Sequence, residues 1–274
     1  MERSRLQAGK TTLTALALPA LTALGFLGAC EPPHPAAVNA AAGAPTQDYR
    51  AAPELQGGGP SGGGRIQLFG SASPGAAVRL ASPGGSAQFA TADATGKWRV
   101  IMPPSAAPRL LGLSMSDGGQ VVQALGYLFV APDGLVVRLR VGGGTQAPAM
   151  TKGLAPLALD FDNQRATTLS GMAGPREPVS LRVDGVERGQ TTADSRGRFV
   201  LPLSQPLPAG SHDFDLVDAT QEVRFSATVD APQPLANMQY AAGRLGGGWR
   251  IDWITPGGGE QTTLILGPQP GSAG

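Results

Sequence analysis

The sequence predicts an all-β protein, in which two tandem β-sandwiches precede a C-terminal β-hairpin and follow an export signal and a disordered tether. Three observations predict this fold class. Short stretches of alternating apolar and polar residues, broken by glycine and proline, run through the chain after residue 64, as is typical of sandwich strands. One long segment occurs twice. No stretch after residue 30 has the spacing of an amphipathic helix.

The repeat is the strongest of these observations. Gly70–Leu80 matches Gly171–Leu181, and Thr91–Trp98 matches Thr192–Phe199, with 101 residues separating every matched pair. Self-similarity at a fixed spacing marks a repeated structural unit. We therefore predict two domains with one fold.

Each copy contains an Asp-x-x-Gly sequence, at 93–96 and at 194–197. Aspartate bonds to the backbone two residues on, and glycine tolerates positive φ, so both sequences predict tight turns. The aromatic residue that follows each turn should lie in the core. Trp98 and Phe199 are thus predicted to occupy equivalent buried positions.

The pattern Gly-x-Ala-x-Pro-Gly-x-x-Val-x-Leu, followed by Thr-x-Asp-x-x-Gly-x-Trp and a Leu-Pro-x-Gly turn, resembles the bacterial Ig-like modules of surface proteins. The second copy departs from it with Phe199 in place of tryptophan, and the first copy lacks a Leu-Pro-x-Gly turn. The resemblance implies Ig-like sandwiches, which we place at 65–150 and 156–232. It also implies a role in spacing or adhesion, without a chemistry.

The N-terminus has the pattern of a secretory signal. A basic start with Arg3, Arg5 and Lys10 leads into an uncharged apolar stretch, too short to span a bilayer. The following Leu27-Gly28-Ala29-Cys30 resembles the lipobox of bacterial lipoproteins. By that resemblance, residues 1–29 are a signal peptide and Cys30 carries the lipid. The alternative is an ordinary small residue beside a conventional cleavage site.

Residues 30–64 form the predicted tether. They are rich in alanine, proline and glycine and end in two glycine runs, at 57–59 and 62–64. Such a composition buries too little apolar surface to offset the entropy of ordering. By resemblance to sorted lipoproteins, Glu31, in place of an aspartate after the cysteine, favours the outer membrane as the destination.

Composition excludes several functions. The net charge of +1 and the lack of long basic runs argue against nucleic-acid binding. With Cys30 as the single cysteine and only two histidines, disulfides and a zinc site are not expected. No nucleophile or phosphate-binding motif is present, so we expect neither an enzyme nor a cofactor.

The segment 236–268 is predicted to form a hairpin around Pro256-Gly257-Gly258-Gly259. Trp249, Ile251 and Trp253 share one face of its first strand. Because an isolated hairpin is marginal in water, this face either docks on the second sandwich, which we favour, or forms an interaction face for a partner.

The junction between the copies holds the one candidate metal site. Asp160, Asp162 and Asn163 are oxygen donors of the kind that Ca²⁺ prefers. The simpler interpretation is a solvated acidic linker.

Together these features predict a non-catalytic, lipid-anchored envelope protein that acts as a spacer or binding module. Its partners would be the membrane, through the anchor, and an envelope protein or glycan. The alternative is an accessory subunit of a machine for secretion, export or cell-wall assembly.

Replacing the lipidated thiol tests the anchor. Cys30→Ser should move the protein from the membrane fraction to the soluble periplasm, or leave an uncleaved precursor, because the acyl chains supply the membrane affinity. Fractionation and immunoblotting measure this. A Cys30→Ser protein that is processed normally and still sediments with membranes contradicts the assignment.

Overall fold

The computed structural model describes residues 50–142, 144–148 and 153–266, which belong to one compact unit. The predicted signal peptide, Cys30 and most of the predicted tether lie outside these residues. Every regular element in the described part is a β-strand, and none of its residues form a helix that could cross a membrane. The strands are β1 (Glu54–Pro60), β2 (Ile66–Ser71), β3 (Ala77–Ala81), β4 (Ala87–Thr91), β5 (Lys97–Met102), β6 (Arg109–Asp117), β7 (Gln120–Gln123), β8 (Tyr127–Val130), β9 (Val136–Leu139), β10 (Ala155–Asp162), β11 (Thr167–Met172), β12 (Pro178–Val183), β13 (Val186–Thr192), β14 (Arg198–Pro202), β15 (Gly210–Val217), β16 (Glu222–Val229), β17 (Tyr240–Leu245), β18 (Gly248–Ile254) and β19 (Glu260–Ile265).

The first sandwich packs two antiparallel sheets face to face. One sheet has the order β1–β2–β5, and the other has the order β4–β3–β6–β8–β9, with β7 also paired to β6. Alternate side chains point inward, as in β5, where Trp98, Val100 and Met102 are buried and the residues between them are exposed. Its core includes Ile66, Leu68, Val78, Leu80, Trp98, Met102, Leu111, Leu113, Met115 and Leu128.

The second sandwich repeats this plan. Strands β10, β11 and β14 pair as β1, β2 and β5 do, and β13–β12–β15–β16 forms the facing sheet. Strand β16 corresponds to β7 and β8 together, because β16 pairs along β15 whereas β7 and β8 pair with successive parts of β6. The prediction of two tandem Ig-like sandwiches is confirmed.

The aromatic residues at the matched positions are equivalent. Trp98 and Phe199 are each 2% exposed, and each ring lies against the glycine on the neighbouring strand. A Cβ on Gly70 would lie 2.7 Å from the Trp98 ring, and a Cβ on Gly171 would lie 2.7 Å from the Phe199 ring. The repeated glycines therefore make room for the core aromatic residues.

The two Asp-x-x-Gly turns are also equivalent. Gly96 and Gly197 have φ values of 79° and 80°. The Oδ1 atom of Asp93 accepts hydrogen bonds from the amides two and four residues on, at 2.8 and 3.0 Å, and Asp194 does the same at 2.8 and 2.9 Å. The turn prediction is confirmed in both copies.

The predicted end of the tether is wrong. Strand β1 covers 54–60 and pairs with β2 along its length, so the first sandwich begins at Glu54 rather than at residue 65. Its glycines permit close packing: a Cβ on Gly57 would lie 2.1 Å from the Phe69 ring, and one on Gly58 would lie 2.7 Å from Leu68. A glycine run can therefore be a strand where larger neighbours cover it.

The C-terminal segment is a three-stranded meander. The predicted hairpin is present as β18 and β19, and β17 precedes it. Strand β19 pairs with β10, which extends the first sheet of the second sandwich to the order β14–β11–β10–β19–β18–β17. The segment therefore belongs to the second sandwich by its backbone pairing.

A methyl group at Gly70 should strongly destabilise the first sandwich. Its Cβ would lie 1.9 Å from the backbone oxygen of Glu54, so β1 or Trp98 would have to move. We expect Gly70→Ala to lower the free energy of unfolding by about 3 kcal/mol or more. Gly59→Ala is the matched control, because nothing lies within 4 Å of its Cβ position. Equal urea midpoints for the two variants would contradict this packing.

Candidate functional site

The extended sheet of the second sandwich is covered on both faces. One face contributes Leu159, Phe161 and Leu264 to the core of that sandwich. The other face packs on β6, β8 and β9 of the first sandwich. We call this second contact the interdomain core, and its buried residues are Leu110, Phe129, Ala131, Leu135, Val137, Leu139, Leu157, Ala158, Trp249, Ile251, Trp253 and Ile265.

Two aromatic pairs contribute to the interdomain core. Trp253 meets Tyr127 edge-on, with ring centroids 5.9 Å apart, and Trp249 meets Phe129 at 5.5 Å and an interplanar angle of 67°. The Arg244 guanidinium lies 4.4 Å above the Trp249 ring. Edge-to-face pairs contribute about 0.5–1.5 kcal/mol each beyond the area they bury.

Polar contacts surround these rings. The Tyr240 hydroxyl donates to the Pro108 carbonyl at 2.8 Å, and Arg244 forms an ion pair with Asp133. Both contacts join the C-terminal meander to the first sandwich. They orient the two sandwiches in addition to the apolar contact.

The predicted interaction face is therefore internal. Trp249, Ile251 and Trp253 are 6%, 0% and 0% exposed, so they do not form a face for an external partner. Docking within the chain is confirmed, but the predicted docking surface is wrong. The face that carries Trp249, Ile251 and Trp253 (the tryptophan face) packs on the first sandwich. Because β19 pairs with β10, the meander continues the sheet of the second sandwich, and the tryptophan face lies on the side of that sheet away from the core of the second sandwich.

A buried carboxylate ties the inter-sandwich linker to this sheet. Asp160 on β10 accepts from the amide and hydroxyl of Thr145 at 2.8 and 2.9 Å. It also accepts from the Thr263 hydroxyl at 2.6 Å and the Gln261 amide at 3.3 Å. The Thr263 hydroxyl in turn accepts from Trp253 Nε1 at 3.1 Å. The network therefore connects the linker, the sheet and the interdomain core.

Burial changes the chemistry of this carboxyl. Asp160 is 3% exposed, and removal from water raises its pKa to about 6, while the bonds from Thr263 and Thr145 oppose the shift. Desolvation disfavours the charged form of a carboxyl group. Its four donors offset this cost only in part.

The three candidate calcium ligands line one cavity of about 360 Å³. Asp160 has the partners given above, and Asp162 Oδ1 accepts from the amides of Gln164 and Ala166 at 2.9 and 3.0 Å. The described residues contain no group of three or more His, Cys, Asp or Glu side chains placed to hold a metal. The carboxylates thus have evident structural roles, as a linker anchor and a turn cap.

The buried histidine also has a structural role. His212 Nδ1 lies 2.7 Å from Asp184 Oδ2, and Nε2 lies 2.9 Å from the Pro208 carbonyl oxygen. Burial alone would lower the pKa of His212, but these two acceptors outweigh it and raise the pKa. Since both ring nitrogens are engaged, the imidazole has no free atom for acid–base chemistry.

Sequence reasoning missed Thr145 and Thr263 as partners of Asp160. A signal was present, because Asp160 stands between Leu159 and Phe161 in a strand whose other residues, apart from Asp162 at its end, are apolar. A buried charge at such a position requires hydrogen-bond donors from elsewhere in the fold. Their identity depends on the path of the linker, which local sequence does not specify.

No known family profile matches the chain, and neither does any curated protein. Among solved structures, the central fibronectin-III array of RIM-binding protein is similar, at 13% identity and a TM-score of 0.25. The match covers 78% of this chain and 89% of that one. By its own strand order and packing, the chain is a tandem Ig-like β-sandwich protein.

Removing a central ring should uncouple the sandwiches. Trp253→Ala should cost on the order of 3–5 kcal/mol, because it leaves a cavity in the interdomain core. We expect calorimetry to show one unfolding transition for the unaltered chain and two for Trp253→Ala. Trp98→Ala is the control, since it damages only the core of the first sandwich. A single transition for Trp253→Ala at the original temperature would contradict the coupling.

The Asp160 carboxyl should make stability depend on pH. An unfolded aspartate has a pKa of about 3.9, so folding raises the value, and the folded state holds the proton more tightly. The contribution is therefore most favourable below about pH 4 and is lost as pH rises to about 6. This difference corresponds to about 3 kcal/mol.

Asp160→Asn should remove this part of the pH dependence. Urea unfolding at several pH values between 4 and 7 measures it, as the difference between the variant and the unaltered chain. Asp162→Asn, two residues along the same strand, serves as the control. If the variant kept the full slope between pH 4 and 6, Asp160 would not be the group responsible.

Proposed function

We propose that this protein is a lipid-anchored envelope protein that presents a rigid, non-catalytic binding surface away from the membrane. The interdomain core is the observation that carries the proposal. Modules that are joined only by a linker reorient freely. Here the twelve buried residues of the interdomain core hold the two sandwiches in one relative orientation. A surface made by both modules is therefore preformed.

The chemistry of the described residues supports a binding role over a catalytic one. The buried side chains of Asp160 and His212 are both engaged in hydrogen bonds within the protein. Lipid attachment at Cys30 is part of the proposal and rests on the signal sequence. The segment between Cys30 and β1 supplies the distance from the membrane.

Native mass after gentle extraction tests this role. Membranes that contain the intact lipoprotein are solubilised in mild detergent and analysed by size exclusion with light scattering. We expect recovery only with detergent, as a particle with the mass of the chain and its detergent. Recovery in fixed stoichiometry with other subunits would instead make the protein an accessory subunit of an envelope machine. Recovery without detergent would overturn the anchored role.

A further inference from the structure

A cleft of about 640 Å³ lies where the two sandwiches meet. The first sandwich contributes Glu54 from β1, Arg138 from β9 and Arg140, which directly follows β9. The second contributes Arg196 and Arg198 from the Asp-x-x-Gly turn and β14. The volume falls within the range of about 300–1,000 Å³ that is usual for small-molecule sites.

The cleft carries an excess of positive charge. Four arginines line it, and Glu54 is the acidic residue among the lining. Arg198 is paired with Asp194 at 2.9 Å, and Arg138 donates to the Gln146 side chain. Arg140 and Arg196 form no ion pair with any residue that the structure describes.

The arrangement has an electrostatic cost. Burial lowers the pKa of Arg138, the neighbouring Arg140 and Arg198 lower it further, and Glu54 opposes them. The positively charged guanidinium groups repel one another where they are partly shielded from water, and an anion bound between them would offset that repulsion. The fold holds these guanidinium groups close together although fewer acidic side chains than arginines lie beside them.

We propose that this cleft binds a small multivalent oxyanion that carries carboxylate or phosphate groups. Guanidinium groups present pairs of N–H donors that match both kinds of oxyanion. Ala147, Pro148 and Met172 also line the cleft, and these apolar residues would contact the carbon skeleton of such a ligand. The inference deepens the binding role proposed above and rests on it.

The position of the cleft connects it to the interdomain core. Arg138 and Arg140 belong to the first sandwich, and Arg196 and Arg198 belong to the second. The four groups converge only while the two sandwiches keep their orientation. Trp253→Ala should therefore weaken anion binding although Trp253 does not line the cleft.

Isothermal titration of the purified full chain at low ionic strength tests the proposal. Citrate serves as the carboxylate probe and pyrophosphate as the phosphate probe, and their relative affinities show which chemistry the site prefers. We expect saturable binding of at least one probe with one site per chain. Arg140→Gln and Arg196→Gln should each weaken it by roughly tenfold or more, as expected for a lost charge-assisted hydrogen bond.

Arg79→Gln is the matched control, since Arg79 is exposed on β3 and does not line the cleft. It should leave the affinity unchanged. The proposal is overturned if neither probe saturates, if both cleft variants bind as the unaltered chain does, or if Arg79→Gln weakens binding equally. The titration does not depend on how the protein is extracted from membranes. Failure of the anion-binding proposal can therefore be distinguished from failure of the anchored role, which the detergent extraction tests.

Discussion

The contact between Trp249, Ile251 and Trp253 and the β6–β8–β9 face places both sandwiches in one body. A Trp or Phe side chain buries about 150–250 Å², and each Å² of apolar surface contributes about 25 cal/mol. The meander can make this contact because β19 is hydrogen-bonded to β10. Backbone pairing to one module and side-chain packing on the other are thus combined in one segment. The preformed arginine cleft and the buried Asp160 network both follow from that combination.

The elements that could be predicted are those that depend on interactions between residues close together in the sequence. The Asp-x-x-Gly turns, the alternating strands and the buried Trp98 and Phe199 depend on residues within a few positions of one another. The repeat doubled the evidence for each of them, because a pattern that recurs at a fixed offset reflects a shared fold. The hairpin strands were predictable for the same reason, from alternation around a glycine turn.

The elements that were not predictable depend on neighbours distant in sequence. Gly57 and Gly58 have the composition of a linker, yet they pack beneath Phe69 and Leu68 from the next strand. The tryptophan face was evidently apolar, but which surface covers it depends on the edge at which β19 pairs. Asp160 resembled a solvated acid beside Asp162, and only the path of the linker past Thr145 makes it a buried anchor.

The central claim is that the interdomain core fixes the orientation of the two sandwiches. Spin labels at the matched turn residues, Ala94→Cys and Ser195→Cys in a Cys30→Ser background, report this directly, because both residues are exposed and occupy the same place in each copy. Double electron–electron resonance on the full chain should give one narrow distance distribution, which Trp253→Ala broadens. A broad distribution in the chain that retains Trp253 would contradict the account.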